Sequence, residues 1–169
     1  IIEVEVEMPN LPAAADGLVV AHVSDVHLGA LIGPKRLRAM IEQIDSMQPD
    51  LVAITGDLVD GHAGTVQGMI PELRTLTAAL GVYAIVGNHE KYAGADRCRE
   101  LMREAGFTVL DTESREVAPG LWIAGVPDNG RGRSVIPVEG ALAAALGGVP
   151  EGDGIIFLQH APVQEEAIA

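Results

Sequence analysis

Apolar residues in this chain gather in short runs, separated by segments whose apolar positions recur at helical spacing. The run "LVVAHVS" at 18–24 is continuous, and a continuous run of this length reads as a strand buried on both faces. Pro34 then opens a segment in which Leu37, Met40, Ile41, Ile44 and Met47 fall on one helical face, closed before Pro49. "LVAIT" at 51–55 is the second strand. A helix is expected over 70–80, with Pro71 in its first turn and Leu73, Leu76 and Leu80 inward. "VYAIV" at 82–86 is the third strand, and a helix near 96–105 carries Cys98, Leu101 and Met102 toward the core.

The second half is richer in strands. "FTVLD" at 107–111, a segment around Glu116 and Val117, "LWIAGV" at 121–126 and "GIIFLQ" at 154–159 all read as strands, with an Ala-rich helix over 138–146. The amino-terminal "IIEVEVEM" alternates strictly, the pattern of an edge or antiparallel strand. Residues 127–134, "PDNGRGRS", are the most loop-like internal stretch. Repeated strand–helix–strand units predict an α/β fold of mostly parallel central β-sheets flanked by helices, with right-handed crossovers.

Each core strand runs out into polar residues of one chemical kind. The first strand ends in "SDVHLG", with Asp25 and His27. The second ends in "GDLVDG", with Asp57 and Asp60; the third in "GNHE", with Asn88, His89 and Glu90; the last in "QHAP", with His160. In an open α/β sheet, ligands bind outside the carboxyl ends of the strands. Residues far apart in sequence are therefore expected to meet at one edge. Imidazole and carboxylate together suit Mn, Fe or Zn, and a carboxylate can bridge two ions. Asp-x-His fits the end of a strand, where side chains two apart point the same way, so Asp25 and His27 can grip one ion. Gly56 and Gly87 allow a tight turn and a close backbone approach. Each piece alone is weak, since Gly-Asp and Asp-Gly are ordinary turn dipeptides. The four together, in this order, are a strong signal.

Composition narrows the picture. The chain has 169 residues, 48% of them apolar but only 3% aromatic, so the core must be built from Val, Ile, Leu and Ala. One domain over 1–169 is expected. The formal net charge of −13 argues against binding a nucleic-acid backbone. It would also repel a small anionic substrate unless bound cations reverse the field locally. The single cysteine, Cys98, cannot form an internal disulfide. The longest apolar runs fall well short of the roughly 20 residues of a membrane helix. The first residue is Ile1, which leaves room for an upstream signal, anchor or tag, and with it membrane association or export.

The sequence "DVH…GDLVD…GNHE…H" resembles the signature of the calcineurin-like metallophosphoesterases, and "SDVHLG", "VAITGDLVDG" and "YAIVGNHEKY" are most similar to a bacterial, often membrane-linked branch. The resemblance covers residues 18 to 162. It implies a layered metallophosphoesterase fold and two divalent ions, of Mn, Fe or Zn, about 3.5–4 Å apart. Asp25 and His27 would hold the first ion, Asp57 would bridge, and Asn88 and His160 would hold the second. A hydroxide bridging the ions would attack a phosphomonoester or phosphodiester in line, and His89 would protonate the leaving oxygen. The family's Gly-His-x-His motif is not present after His160 in this sequence. On the resemblance, the domain is therefore expected to be short of its carboxyl-terminal part, with weak activity and an exposed edge open to self-association. A catalytically weak module that keeps the fold for protein binding is the alternative.

Other polar residues have plainer readings. His22, mid-strand, is expected to be a buried, hydrogen-bonded histidine. Asp60, grouped with His89 as catalytic, is read as a partner that orients a metal ligand, a common need of metal sites. Glu90 serves the same end or faces water, and His62 is a solvated loop residue. Arg131 and Arg133 are solvated, or help hold a phosphate.

Overall fold

Parallel pairing organises the first half of the chain. The structure, a computed structural model, describes residues 1–8, 10–29, 31–128 and 138–161, without the side chains of 138 and 139. Strands β1 (Val20–Val23), β2 (Leu51–Ile54), β3 (Val82–Ala84) and β4 (Thr108–Val109) form one sheet in the order β1-β2-β3-β4, every pair parallel. Helix α1 (Pro34–Asp45) begins at its proline and buries Leu37, Ile41 and Ile44, the face its spacing predicts. Two short helices come after β2, α2 (Ala63–Val66) and α3 (Ile70–Leu73), and α4 (Asn88–Ala93) comes after β3. Helix α5 (Ala95–Glu104) buries Cys98, Leu101 and Met102. These helices and the sheet enclose the larger core, in which each fully buried aliphatic side chain contributes about 1.5–3 kcal/mol.

A second sheet covers the other face. Strands β5 (Glu113–Ala118) and β6 (Leu121–Gly125) form an antiparallel hairpin, and β7 (Gly154–Leu158) adds to β6 in parallel after helix α6 (Val138–Leu146). Leu51, Ala53, Ile85 and Leu110 of the first layer meet Ile123 and Leu158 of the second. Gly125 lets the layers close here: a Cβ would stand 2.6 Å from Ile85 Cγ2. The architecture is the layered α/β fold of parallel sheet and flanking helices expected from the pattern. Among the described residues no helix is long and apolar enough to cross a membrane.

Several local expectations change. The run at 18–24 is not buried on both faces. β1 is the edge of its sheet, and Val19, Val20 and His22 are exposed while Ala21 is buried. The expected helix over 70–80 is one turn long. The Thr75 hydroxyl donates to Glu72 O at 2.8 Å, a local bond that competes with helix continuation, and Leu80 N then donates to Asp50 O at 2.7 Å to join the sheet. Residues 1–8 form no strand although they alternate; Ile1, Ile2, Val4 and Val6 are exposed. A strand is a pairing, and among the described residues no partner lies beside this one. The "PDNGRGRS" loop lies mostly outside the described residues.

Cys98 gives a simple check on this packing. It is fully buried, and burial pushes its thiol up to about 11. A thiol that is both inaccessible and protonated does not react. The native chain at pH 8 should therefore give no prompt reaction with a disulfide-exchange reagent, and one equivalent after denaturation. Stoichiometric reaction within the mixing time in native buffer would show that α5 is not docked on the core.

Candidate metal centre

The loops after β1 and β2 run side by side past the ends of their strands. Asp25 N donates to Gly56 O at 3.2 Å, His27 N to Asp57 O at 2.9 Å, Leu28 N to Leu58 O at 2.8 Å, and Asp60 N back to Leu28 O at 2.9 Å. The parallel register of the strands thus continues into the loops and places Asp25 and His27 beside Asp57. The way the side chains converge differs from the expectation. Asp25, His27 and Asp57 have left-handed φ values of 55°, 54° and 53°, so no strand alternation orients them. Non-glycine residues hold that conformation only where their surroundings over-determine it, and such sites cluster at functional positions.

Asp57 is the centre of the cluster, with only 2% of its surface exposed. Its Oδ1 accepts the His89 backbone N–H at 2.9 Å. Its Oδ2 faces three imidazole nitrogens: His160 Nε2 at 3.4 Å, His27 Nε2 at 3.9 Å and His89 Nε2 at 3.9 Å. His27 Nε2 also lies 3.8 Å from Asp25 Oδ1. Asp25, His27 and Asp57 therefore offer one converging set of donor atoms, and His27, Asp60 and His89 another.

His160 arrives from the second sheet, two residues beyond β7. Its Nδ1–H donates to Thr55 O at 2.9 Å, which leaves the Nε2 lone pair facing the cluster. Asn88 Oδ1 stands 2.9 Å from that Nε2. Two lone-pair atoms converging this closely beside a buried carboxylate fit a shared divalent cation, which Asp57, Asn88 and His160 would hold.

His89 is placed differently. Its Nδ1–H donates to Asp60 Oδ1 at 3.0 Å, and its ring stacks edge-on against His27 with centroids 4.5 Å apart. The hydrogen bond to Asp60 raises the His89 pKa and lowers that of Asp60. His89 is thus held with Nε2 toward the cluster and a proton favoured on the ring. Asp60, expected to orient a metal ligand, touches this imidazole, which the same reading kept off the metals.

Two residues matter more than sequence reasoning indicated. Thr55, the residue after β2, accepts from His160 on its carbonyl and pairs through Oγ1 with His22 Nε2 at 2.8 Å. His22 is hydrogen-bonded as expected but exposed, because the edge strand turns it outward. Glu90 does not face water. It is fully buried, burial pushes its carboxyl up, and its carboxylate accepts from three main-chain N–H groups near the site. A lone Glu on a six-residue helix carries no signal of this; its spacing of three from Gly87 hints at a helix-start carboxylate. His62 is exposed, as expected. Arg131 and Arg133 lie outside the described residues.

A family model and named relatives agree on the kind of protein. The family model described as calcineurin-like phosphoesterase matches residues 18–167. An uncharacterized metallophosphoesterase of Aquifex aeolicus is 32% identical over 164 residues, covering 96% of this chain and 62% of that protein. A transmembrane protein with metallophosphoesterase domain from Danio rerio is 28% identical, covering 96% of this chain and 39% of that protein. The crystal structure of Pseudomonas putida nuclease MPE aligns with a TM-score of 0.41 at 20% identity, over 64% of this chain and 55% of that one. The chain thus spans less than two thirds of the length of either relative.

Proposed function

This chain belongs to the calcineurin-like phosphoesterase family, and from that premise we propose that it hydrolyses a phosphomonoester or phosphodiester at the strand-end cluster, using two divalent ions. The observation that carries the reading is the convergence of His27, His89 and His160 on one oxygen of buried Asp57, at 3.4 to 3.9 Å. Asp25 and His27 would hold one ion, Asn88 and His160 the other, and Asp57 both. Ions in such a site polarise phosphoryl oxygens and lower the pKa of bound water.

The chain's own residues supply the rest. Asp57 is oriented by the His89 N–H, which leaves Oδ2 free to face the donors. His160 is held in the tautomer that presents Nε2, through its bond to the Thr55 carbonyl. Asp60 accepts from Nδ1 and favours the protonated ring, so an ionised His89 would carry its second proton on Nε2, toward the cluster, where it would protonate a leaving oxygen. With a net charge of −13, a phosphate ester would be repelled from much of this protein; bound cations would make the site locally attractive.

The reading is tested by titrating Mn²⁺ into the chelator-treated protein and assaying bis-nitrophenyl and mononitrophenyl phosphate. Binding of close to two equivalents with metal-dependent release of nitrophenolate supports it. Absence of Mn²⁺, Zn²⁺ and Fe²⁺ binding alike would sink it, in favour of a fold kept for protein contacts.

A second expectation separates His89 from the ligands. His89→Asn should leave Mn²⁺ stoichiometry unchanged while slowing turnover by about 100-fold, within the usual range for general acid catalysis. The loss should be larger for an alkyl ester than for a nitrophenyl ester, whose leaving group needs no proton. Equal losses on the two substrates would assign His89 a structural role.

A further inference from the structure

We infer that Glu90 is a positioning residue for Asp57, acting through the main chain. The inference rests on the phosphoesterase reading of the cluster. A carboxylate with no exposed surface is costly to bury unless it is fully hydrogen-bonded. Glu90 spends both oxygens on backbone donors of two different loops. Oε2 accepts from Asp57 N at 2.9 Å and Gly87 N at 2.8 Å, and Oε1 accepts from Val59 N at 2.8 Å. One side chain therefore ties the loop after β2 to the start of α4. These are the segments that carry Asp57 and Asn88.

The tie lies where the chain is most constrained. Asp57 is in a left-handed conformation, with φ 53°. Such a backbone costs on the order of 1–3 kcal/mol and persists only when neighbours impose it. Gly87 crosses so close that a Cβ there would stand 2.5 Å from the Asp57 nitrogen. Glu90 holds both amides with a single oxygen at that crossing. The carboxylate of Asp57 is fixed independently, through Oδ1 and the His89 N–H. Its peptide is held by Glu90 and its side chain by α4, so the direction of Oδ2 follows from both. None of the bonds from Glu90 reaches the donor cluster directly.

A carboxylate is the group this arrangement needs. Three N–H donors require two oxygens that only accept. An amide has one, and turns an NH₂ group against the remaining donor. Glu90→Gln keeps the size of the side chain and leaves one buried N–H facing a donor. Orienting partners of metal ligands typically govern affinity or activity by about 10–100-fold, and that is the loss expected here.

The test compares the parent, Glu90→Gln, and Leu101→Ala, a core truncation at a buried α5 position that lowers stability and takes no part in the Glu90 bonds. Mn²⁺ affinity is measured by calorimetry, and amide hydrogen exchange is followed in metal-free buffer. Glu90→Gln should bind Mn²⁺ about 10–100-fold more weakly than the parent, and its Asp57, Val59 and Gly87 amides should exchange faster while those of β2 do not. Leu101→Ala should lose thermal stability and keep the parent's affinity. Should Glu90→Gln fail to fold, Glu90→Asp, which keeps the charge but shortens the reach, carries the same comparison. Parental affinity in the Glu90 variant, or equal weakening in Leu101→Ala, overturns the positioning role alone. A parent that binds no divalent ion overturns the phosphoesterase reading, and this role with it.

Discussion

Asp57→Asn is expected to abolish the stabilisation that Mn²⁺ gives this protein. At an ion concentration of 100 times Kd, binding stabilises a folded chain by about 2.7 kcal/mol, which for a domain of this size raises Tm by roughly 5–10 °C. The parent should show that rise and the variant none. The expectation comes from position. Asp57 Oδ2 faces all three imidazoles, and both proposed ion positions depend on it. The substitution is nearly isosteric, and an asparagine oxygen can still accept the His89 N–H that Asp57 Oδ1 accepts at 2.9 Å. It removes the negative charge and one acceptor at the centre. Loss of Mn²⁺ affinity by at least 100-fold is therefore expected with the fold intact, since even residues that only orient ligands cost about 10–100-fold. An unchanged Mn²⁺-dependent rise in Tm would show that the ions do not rest on Asp57.

Gly87→Ala should have the next largest effect, by a different route. The glycine backbone is not in a left-handed conformation, so the constraint is one of space. A Cβ would stand 2.2 Å from Asp57 Oδ1 and 2.5 Å from its nitrogen. Those atoms have nowhere to go: the nitrogen is bonded to Glu90 and Oδ1 to the His89 N–H. Overpacking of this kind typically costs about 1–3 kcal/mol, a fall of roughly 2–12 °C in Tm. Because relief requires Asp57 to move, Mn²⁺ affinity should fall as well. Gly64→Ala is the control. It lies in α2 with nothing within 4 Å of the added methyl, and a helical alanine is favoured over glycine by up to about 1 kcal/mol. Thermal melts with and without Mn²⁺ on the two variants decide the matter; equal stability and affinity would mean that the loops at 57 and 87 have room to separate.

Some of this protein can be read without a structure. Continuous apolar runs leading into Asp, His and Asn mark strands whose carboxyl ends carry chemistry, and that is a local property of the chain. α1 and α5 are equally local: Leu37, Ile41 and Ile44, and Cys98, Leu101 and Met102, fall inward because helical spacing leaves them on one face. The order of the motifs identifies the family for the same reason.

The pattern leaves open whatever depends on a neighbour. That β1 is an edge strand, so that Val20 and His22 are exposed, comes from the sheet order, not from the composition of the run. "IIEVEVEM" alternates as a strand should, but alternation describes two faces and cannot supply a partner. The left-handed backbones of Asp25, His27 and Asp57 are imposed by hydrogen bonds between loops about 30 residues apart in sequence, where period-two reasoning has no purchase. Glu90 shows the difference most clearly. In sequence it is one charged residue on a short helix and solvent is its natural surroundings. In the fold, β2 and β3 pair in parallel register and bring three backbone N–H groups to the same point, and a carboxylate is then the side chain that satisfies them. Periodicity is set by a residue's near neighbours along the chain, whereas the convergence of Asp57, Asn88 and His160 is set by which strand ends the sheets place side by side.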